Sequence, residues 1–561
     1  MGEEKATGYI SQLCLNNGTS IDIASDDIVV FVGPNNAGKS QSLKDIYTLA
    51  NKKVPTVVIS DIKITKAPGS LQSILNEISQ PISHGTYTTY NCLGGSINIS
   101  DFSESQFPKE PYYGDFRSLF IANLTTDARL NICNAPDNIK RTSSRKHPIH
   151  YAAFDSKYRK WLSENFKKAF GTDLIPNTQF GSTIPLCMGD SVKLSDEFED
   201  EQLRQEAYAE ILETYKQVQN QGDGIKSFTG ILLYLMLNYY KTYLIDEPES
   251  FLHPPQAKIM GQIIGATLSS NQQAFISTHS EEIIKGLLDI CPERVKIIRI
   301  TRNNDINTFS LLDNKGFSKV WSDPLLKYSN IMASLFHQSV VLCESDSDCK
   351  LYSIIENHLM QEAGRYSETL FVHCGGKHRI SKIVTALRSL GINVKIIADI
   401  DVLNDESVFK GITNSFGIKW SEIQPYYSDV VNNLHSPKER IKRVDAKTII
   451  NTILDKHKDI YVSNNDLSEI EEAIKTISKW TPLKKGGISV LPSGNATNSF
   501  KHIDQILQDN GFYIVPVGEL ECFIKEVGGH GPDWVNTVLE KHPDLNDAVY
   551  DRIKSFISNL S

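Results

Sequence analysis

The sequence lacks the positive charge needed to coat a nucleic acid. Across 561 residues, 58 Lys and Arg stand against 67 Asp and Glu, a net charge of −9. Broad electrostatic wrapping of DNA or RNA is therefore excluded, and any nucleic-acid contact is confined to a local groove, especially one where metal ions neutralise phosphates. The nine cysteines are scattered, with no C-x-x-C pair and no His/Cys spacing suited to zinc. Reduced thiols in a cytoplasm are expected, not disulfides. The longest apolar stretch, Gly230 to Tyr240, is too short to span a bilayer, and Met1-Gly2-Glu3-Glu4-Lys5 has no apolar signal region. No membrane partner and a cytoplasmic location are the expectation. Internal repeats and low-complexity tracts are also missing. What remains is a globular composition, 40% apolar and 22% charged, in a chain long enough for two or three domains.

The most specific stretch is Gly33-Pro34-Asn35-Asn36-Ala37-Gly38-Lys39-Ser40. It follows the apolar run Ile28 to Val32 and precedes a helical pattern, giving the strand, G-x-x-x-x-G-K-S loop and helix of a P-loop. Gly33 and Gly38 let backbone N–H groups converge on a phosphate chain, together with Asn35 and Asn36 in the loop. The helix N-terminus adds favourable partial charge. Lys39 is placed to reach the β- and γ-phosphates of ATP and Ser40 to hold Mg²⁺. Farther on, the strand Thr242 to Asp246 ends in a carboxylate suited to the same ion. Glu247 follows as a group to polarise water, and His279, after the strand Gln273 to Ser277, as a sensor of the γ-phosphate.

Strands alternating with helices imply a largely parallel sheet covered on both faces. Residues 8–32 read as short strands, and Val295 to Leu312 as a hairpin. From about 55 to 215 the pattern is irregular, with helices expected over Phe154–Phe170 and Asp196–Gln219, and reads as an insertion with a possible role in dimerisation. Gly222-Asp223-Gly224-Ile225-Lys226-Ser227 is a second glycine loop at a helix start, again suited to an anion. With the P-loop occupying the phosphates in its own subunit, Gly222, Gly224, Lys226 and Ser227 would cap ATP bound by another.

A second α/β unit begins near Met332. Glu344 follows the strand Ser339 to Cys343, with Asp348 one turn into the next helix. Asp399 and Asp401 follow the strand Val394 to Ala398. Glu519 and Glu521 follow the expected strand Phe512 to Val517. As extended strand ends, each x-spaced pair would point one way. Three acidic strand ends in one parallel sheet make an oxygen cage suited to Mg²⁺ or Mn²⁺, ions able to activate water and stabilise the leaving oxygen of a phosphodiester. The run Lys438, Arg440, Lys442 and Arg443 is either a phosphate grip or a solvated helix face, and His373 and His378 read as loop histidines.

The first half resembles the ABC-type ATPases of DNA repair, although their Leu-Ser-Gly-Gly-Gln signature is here Gly-x-Gly-x-Lys-Ser. That form, with the Toprim-like (topoisomerase–primase) order of Glu344, Asp399-Ile400-Asp401 and Glu519-Leu520-Glu521, resembles the overcoming-lysogenization-defect family. Ser345 stands where Toprim domains usually have Gly. The resemblance implies an α/β fold: an ABC-type P-loop ATPase domain over 1–330 with a helical insertion, then a Rossmann-like Toprim nuclease domain over 331–561. It implies Glu344, Asp348, Asp399, Asp401, Glu519 and Glu521 as the metal-holding and catalytic carboxylates. A catalytic lysine is also implied, for which Lys377, Lys525 and Lys541 are candidates. The implied activity is an ATP-gated, metal-dependent DNA endonuclease of anti-phage defence. Its partners would be a DNA substrate, a second copy or larger homo-oligomer, and a defence-system protein, either a reverse transcriptase with its DNA–RNA hybrid or a helicase-like protein. The alternative is an ATPase scaffold with an inactive Toprim domain that holds or releases a toxin. A chromosome-organising ATPase ranks last, because the insertion has no sustained heptads for coiled-coil arms.

Overall fold

The structure, a computed structural model, describes residues 5–79, 81–92, 95–192, 201–303, 306–312, 330–389, 391–434, 442–456, 461–474 and 480–560. It divides into two compact units, Met1–Phe336 and His337–Ser561.

In the first unit a six-stranded sheet runs in the order Ile306–Leu312, Val295–Asn303, Ile28–Val32, Gln273–Ser277, Thr242–Asp246, Ile121–Leu124. All pairs are parallel except the edge hairpin. Ile28–Val32 and Gln273–Ser277 are buried at every residue, as central strands covered on both faces must be. On one face, Val29, Phe31 and Phe275 pack with Leu43 and Ile46 of the helix Lys39–Leu49. Ile10, Leu13 and Ile62 of a three-stranded antiparallel sheet complete this core. The helix Asp223–Leu237 is apolar almost all round, and ten of its fifteen residues are buried, so its role is core rather than surface.

Two expectations are corrected here. The stretch read as an insertion supplies the edge strand Ile121–Leu124, which pairs with Thr242–Ile245 and so belongs to the main sheet. Its four residues are too short for periodicity to distinguish strand from loop. The helix expected over Asp196–Gln219 is described as Glu201–Glu213; residues 196–200 lie outside the described residues. After it, Lys216–Gln217 pairs antiparallel with Leu186–Gly189. The region also contains the antiparallel meander Pro81–Ser83, Thr88–Cys92, Gly95–Ile99 and the helices Pro148–Phe154 and Ser156–Phe170.

The second unit is built on a four-stranded parallel sheet ordered Thr369–His373, Ser339–Cys343, Asn393–Ala398, Phe512–Ile514. Its core sets Val341, Cys343 and Ile397 against Leu351, Tyr352 and Ile355 of the helix Asp346–Glu362. Trp534 and Val538 of the helix Gly531–Lys541 lie in the same cluster. The last strand ends at Ile514, short of the expected Val517, because the chain turns over Val515–Gly518 into a short 3-10 helix, Leu520–Phe523.

Candidate nucleotide and metal sites

In the first unit the P-loop is shaped by close backbone approach. Gly33 has φ +142°, and a Cβ there would sit 1.9 Å from the Ile300 carbonyl oxygen. Gly38 has φ +104° and caps the helix Lys39–Leu49. Lys39 is buried, and its Nζ donates to the carbonyls of Gly33 at 2.9 Å and Pro34 at 2.7 Å. Burial lowers its pKa to about 8, with Glu247 and Glu249 acting the other way. A cavity of about 600 Å³ opens beside the loop, lined by Asn35, Asn36, Lys39, Ser40, Glu247, His279 and Arg302, among others.

The parallel register of Thr242–Asp246 with Gln273–Ser277 sets Asp246 beside Ser277, whose Oγ donates to the Asp246 carboxylate. Glu247 is held at φ +47°, its N–H donating to the Ser277 carbonyl at 2.9 Å. His279 Nε2 lies 3.6 Å from Glu247 Oε1, and burial with the nearby Lys39 charge pushes the imidazole toward its neutral form. Two residues here escaped sequence reasoning. Glu249, a buried carboxylate, accepts the His279 N–H at 2.6 Å and positions that backbone. Arg129, fully buried, donates to the Asp246 carbonyl and faces the Asp246, Glu247 and Glu249 charges. It comes from the short helix Thr126–Asn131, in the stretch read as insertion, where no motif marks it.

The second glycine loop starts the helix Asp223–Leu237, with Gly222 as N-cap. Gly224 is required by packing, since a Cβ there would lie 2.5 Å from the Phe251 carbonyl oxygen. Lys226 pairs with Asp223 at 2.8 Å. Ser227 is fully buried, and its hydroxyl has no hydrogen-bond partner among the described residues. It is one turn into the helix on the core-facing side, so Gly222, Gly224 and Lys226 are accessible to an anion but Ser227 is not.

In the second unit the acidic residues converge at the C-terminal ends of the strands. Glu344 Oε1 accepts the Asp399 N–H at 3.2 Å, bridging two neighbouring strand ends. The Gly518 carbonyl accepts the Ile400 N–H at 3.0 Å, tying the Glu519 turn to the same edge. Asp401 and Glu521 are not on extended strand ends as expected: each lies in a 3-10 turn, Ile400–Asn404 and Leu520–Phe523. Asp348 Oδ2 accepts the Ser345 N–H at 2.9 Å, while Ser345 Oγ accepts from the Asp348 N–H at 3.3 Å, a reciprocal helix cap. Ser345 thus has a structural reason to stand where Gly was expected.

Lysines enter the cluster from two sides. Lys377, after Gly375 and Gly376, reaches Asp401 Oδ1 at 2.9 Å. Lys484, on the helix Trp480–Gly486, lies 3.3 Å from Glu519 Oε2, 3.7 Å from Asp401 Oδ2 and 4.0 Å from Asp399 Oδ2. Burial works against its charge, but Asp401, Asp399 and Glu519 outweigh that and raise its pKa. Lys525 and Lys541 are exposed and, among the described residues, form no ion pair with the carboxylates. Sequence reasoning missed Lys484, which sits in a polar helical run without a motif. In the structure its backbone packs on Gly518, which has φ +112° and where a Cβ would meet the Lys484 carbonyl oxygen at 1.9 Å.

Six carboxylates around two ammonium groups repel one another. Burial, then the Asp401 charge, raises Glu344 to about 7. Burial also raises Asp348, and Asp399 is held well above the usual carboxylate range by burial and by Glu344 and Asp348. An oxygen-rich donor set carrying unrelieved negative charge fits a hard divalent cation. His373 and His378, read as loop histidines, are both exposed, but His373 is the last residue of the strand Thr369–His373 and His378 lies in the short 3-10 helix Lys377–Arg379. Of the basic run, Lys438 and Arg440 lie outside the described residues; Lys442 and Arg443 are exposed at the start of the helix Arg443–Leu454.

Residues 335–401 match the model described as "Overcoming lysogenization defect protein-like, TOPRIM domain", and residues 138–285 the model described as "AAA domain, putative AbiEii toxin, Type IV TA system". This is the ATPase–Toprim composition of the overcoming-lysogenization-defect family. The Old nuclease of Escherichia phage P2 is 21% identical over 328 residues, which are 56% of this chain. The match spans 49%, about half, of that relative's length. Among solved structures, the SmcHead bound to the C-winged helix domain of ScpA matches 56% of this chain and 98% of its own. That pair is 12% identical with a TM-score of 0.34. The SMC head domain from Thermotoga maritima matches 56% of this chain and 100% of its own, at 14% identity and a TM-score of 0.29. The chain thus joins an AAA-type P-loop ATPase domain to a Toprim α/β domain, and none of its described helices is long and apolar enough to cross a membrane.

Proposed function

We propose that the protein is an ATP-binding, divalent-metal-dependent DNA endonuclease whose cutting is gated by ATP-driven closure of a dimer, acting in anti-phage defence. The observation that carries the nuclease reading is the gathering of Glu344, Asp348, Asp399, Asp401, Glu519 and Glu521 at one sheet edge with Lys377 and Lys484 among them. Those carboxylates would hold Mg²⁺ or Mn²⁺. When bound, such ions supply an activated water and charge stabilisation for the leaving oxygen of a phosphodiester. Asp399, through its N–H, orients Glu344. Lys484 presents a positive charge beside the carboxylates, suited to the charge that develops on a phosphate undergoing attack. In the ATPase unit Lys39 and the loop N–H groups bind phosphate, Ser40 and Asp246 hold Mg²⁺, and Glu247, beside His279, orients water. Gly222, Gly224 and Lys226 of a second copy would complete that site.

The test is nicking of supercoiled plasmid with Mg²⁺ or Mn²⁺, with and without ATP. Loss of nicking in Glu344→Ala and Asp399→Ala, with unchanged melting curves, supports the reading. Absence of nicking under every nucleotide, metal and partner condition would assign the chain to the scaffold role instead, holding or releasing a separate toxin.

A further inference from the structure

A histidine stands at the edge of the carboxylate cage. His530 precedes the helix Gly531–Lys541 in extended geometry, φ −144° and ψ 155°, between Gly529 at φ +107° and Gly531 at φ +65°. Both ends of this loop are fixed. The buried Trp534 donates its indole N–H to the Val527 carbonyl at 3.0 Å, and the Gly531 N–H donates to Glu521 Oε1 at 2.9 Å. His530 Nδ1 lies 3.5 Å from that same oxygen. One donor atom each from Glu519, Glu521 and His530 falls within 4.8 Å of the others.

An ordinary ion pair does not account for this placement. The His530 side chain is 76% exposed, and an exposed pair at such a distance adds little to stability. The glycine-flanked backbone, not the pair, brings the imidazole there. Around an octahedral ion with bonds of about 2.1 Å, donor atoms stand about 3 Å apart when adjacent and about 4 Å when opposed. From separations of at most 4.8 Å, the three atoms therefore need to close by less than about 2 Å.

We propose that Glu519, Glu521 and His530 hold one divalent cation through two oxygens and one nitrogen, and that this position takes a transition metal such as Mn²⁺ in preference to Mg²⁺. The inference rests on the carboxylate cage of the proposed nuclease and names the ion for one side of it. Mg²⁺ favours all-oxygen sites and gives up water reluctantly. An imidazole donor favours the first-row transition metals, with affinity rising from Mn²⁺ toward Ni²⁺.

The experiment is a Mn²⁺ titration of the nucleotide-free full chain followed by electron paramagnetic resonance, with spin-echo detection of ¹⁴N coupling. The wild type is expected to show nitrogen modulation from one imidazole. His530→Gln is expected to abolish that modulation and to weaken Mn²⁺ by at least the roughly 10- to 100-fold that loss of a supporting outer partner costs, with Mg²⁺ binding and melting temperature unchanged. Equal Mn²⁺ affinity and equal modulation in His530→Gln overturn the proposal, as does a defect confined to DNA affinity, which would make His530 a phosphate contact. An ion that is lost in Glu519→Gln but shows no nitrogen coupling removes His530 alone. Absence of any Glu519-dependent ion removes the cage reading as well.

Discussion

Replacing Lys484 with Ala is expected to slow DNA cleavage while tightening divalent-cation binding, two effects of opposite sign from one substitution. The Lys484 Nζ lies 3.3–4.0 Å from oxygens of Glu519, Asp401 and Asp399. At such distances each pair is worth about 1 kcal/mol in water and about 4 kcal/mol at an effective dielectric of 20. The side chain is 39% exposed, so solvent screening brings the sum to about 1–2 kcal/mol. In the metal-free protein this ammonium competes with any cation for the same oxygens. Its removal is expected to strengthen Mn²⁺ or Mg²⁺ binding by about 5- to 30-fold. Cleavage is expected to fall by about 10²–10³, the usual cost of losing a group aimed at developing charge. Calorimetric metal titration and single-turnover nicking read the two effects separately. Lys484→Arg, which keeps the charge, should leave metal affinity near wild type. Weaker metal binding in Lys484→Ala, or undiminished nicking at saturating metal, would refute the reasoning.

Lys39, lowered to about 8 by burial, must be charged to hold phosphate, so ATP association with the free protein is expected to fall as pH rises through about 8, and less so in Lys39→Arg. Because that folded-state pKa lies below the unfolded value of about 10.5, the unfolded chain binds more protons between the two. This group therefore adds stability as pH rises through that window, which a melting series can follow. His147 caps the helix Pro148–Phe154 through its ring, and burial, reinforced by His150, lowers its pKa to about 4. Its contribution is fully present above the unfolded pKa of about 6.5 and lost as pH falls through about 4. It amounts to about 2–3 kcal/mol, and His147→Asn should flatten the acid limb of the melting profile. Gly518→Ala places a methyl 1.9 Å from the Lys484 carbonyl oxygen at φ +112°. It is expected to cost about 1–3 kcal/mol in chemical denaturation and to lower nicking by displacing Lys484.

What was legible in the sequence was what is contiguous. The P-loop is a strand, a glycine loop and a helix start within one short stretch, so spacing alone carried it. Glu344 and Asp399 each follow an apolar strand that pairs in register with its neighbour. Their convergence was therefore readable once a parallel sheet was inferred. The turns after the strands were not. Asp401 and Glu521 lie in 3-10 geometry, where alternation no longer says which way a side chain points. Arg129 and Lys484 were hidden for another reason: each acts through tertiary contact from a helix of ordinary composition, and nothing local distinguishes such a cation from a solvated one. Ser227 misled in the opposite sense, because a motif position proved to face the core.

The glycines tie these failures together. Gly33 brings the P-loop against the Ile300 carbonyl, and Gly518 brings the Glu519 turn against the Lys484 carbonyl, each at a distance no Cβ would allow. In the first case the lysine to be placed is six residues downstream and visible. In the second it comes from the approaching segment, since the backbone that needs the space belongs to the lysine itself. A positive-φ glycine just before an acidic turn therefore carries information about an unknown neighbour. The residue whose carbonyl fills the space above Gly518 is held against the turn by that fit, and in this chain it carries the charge that three carboxylates share.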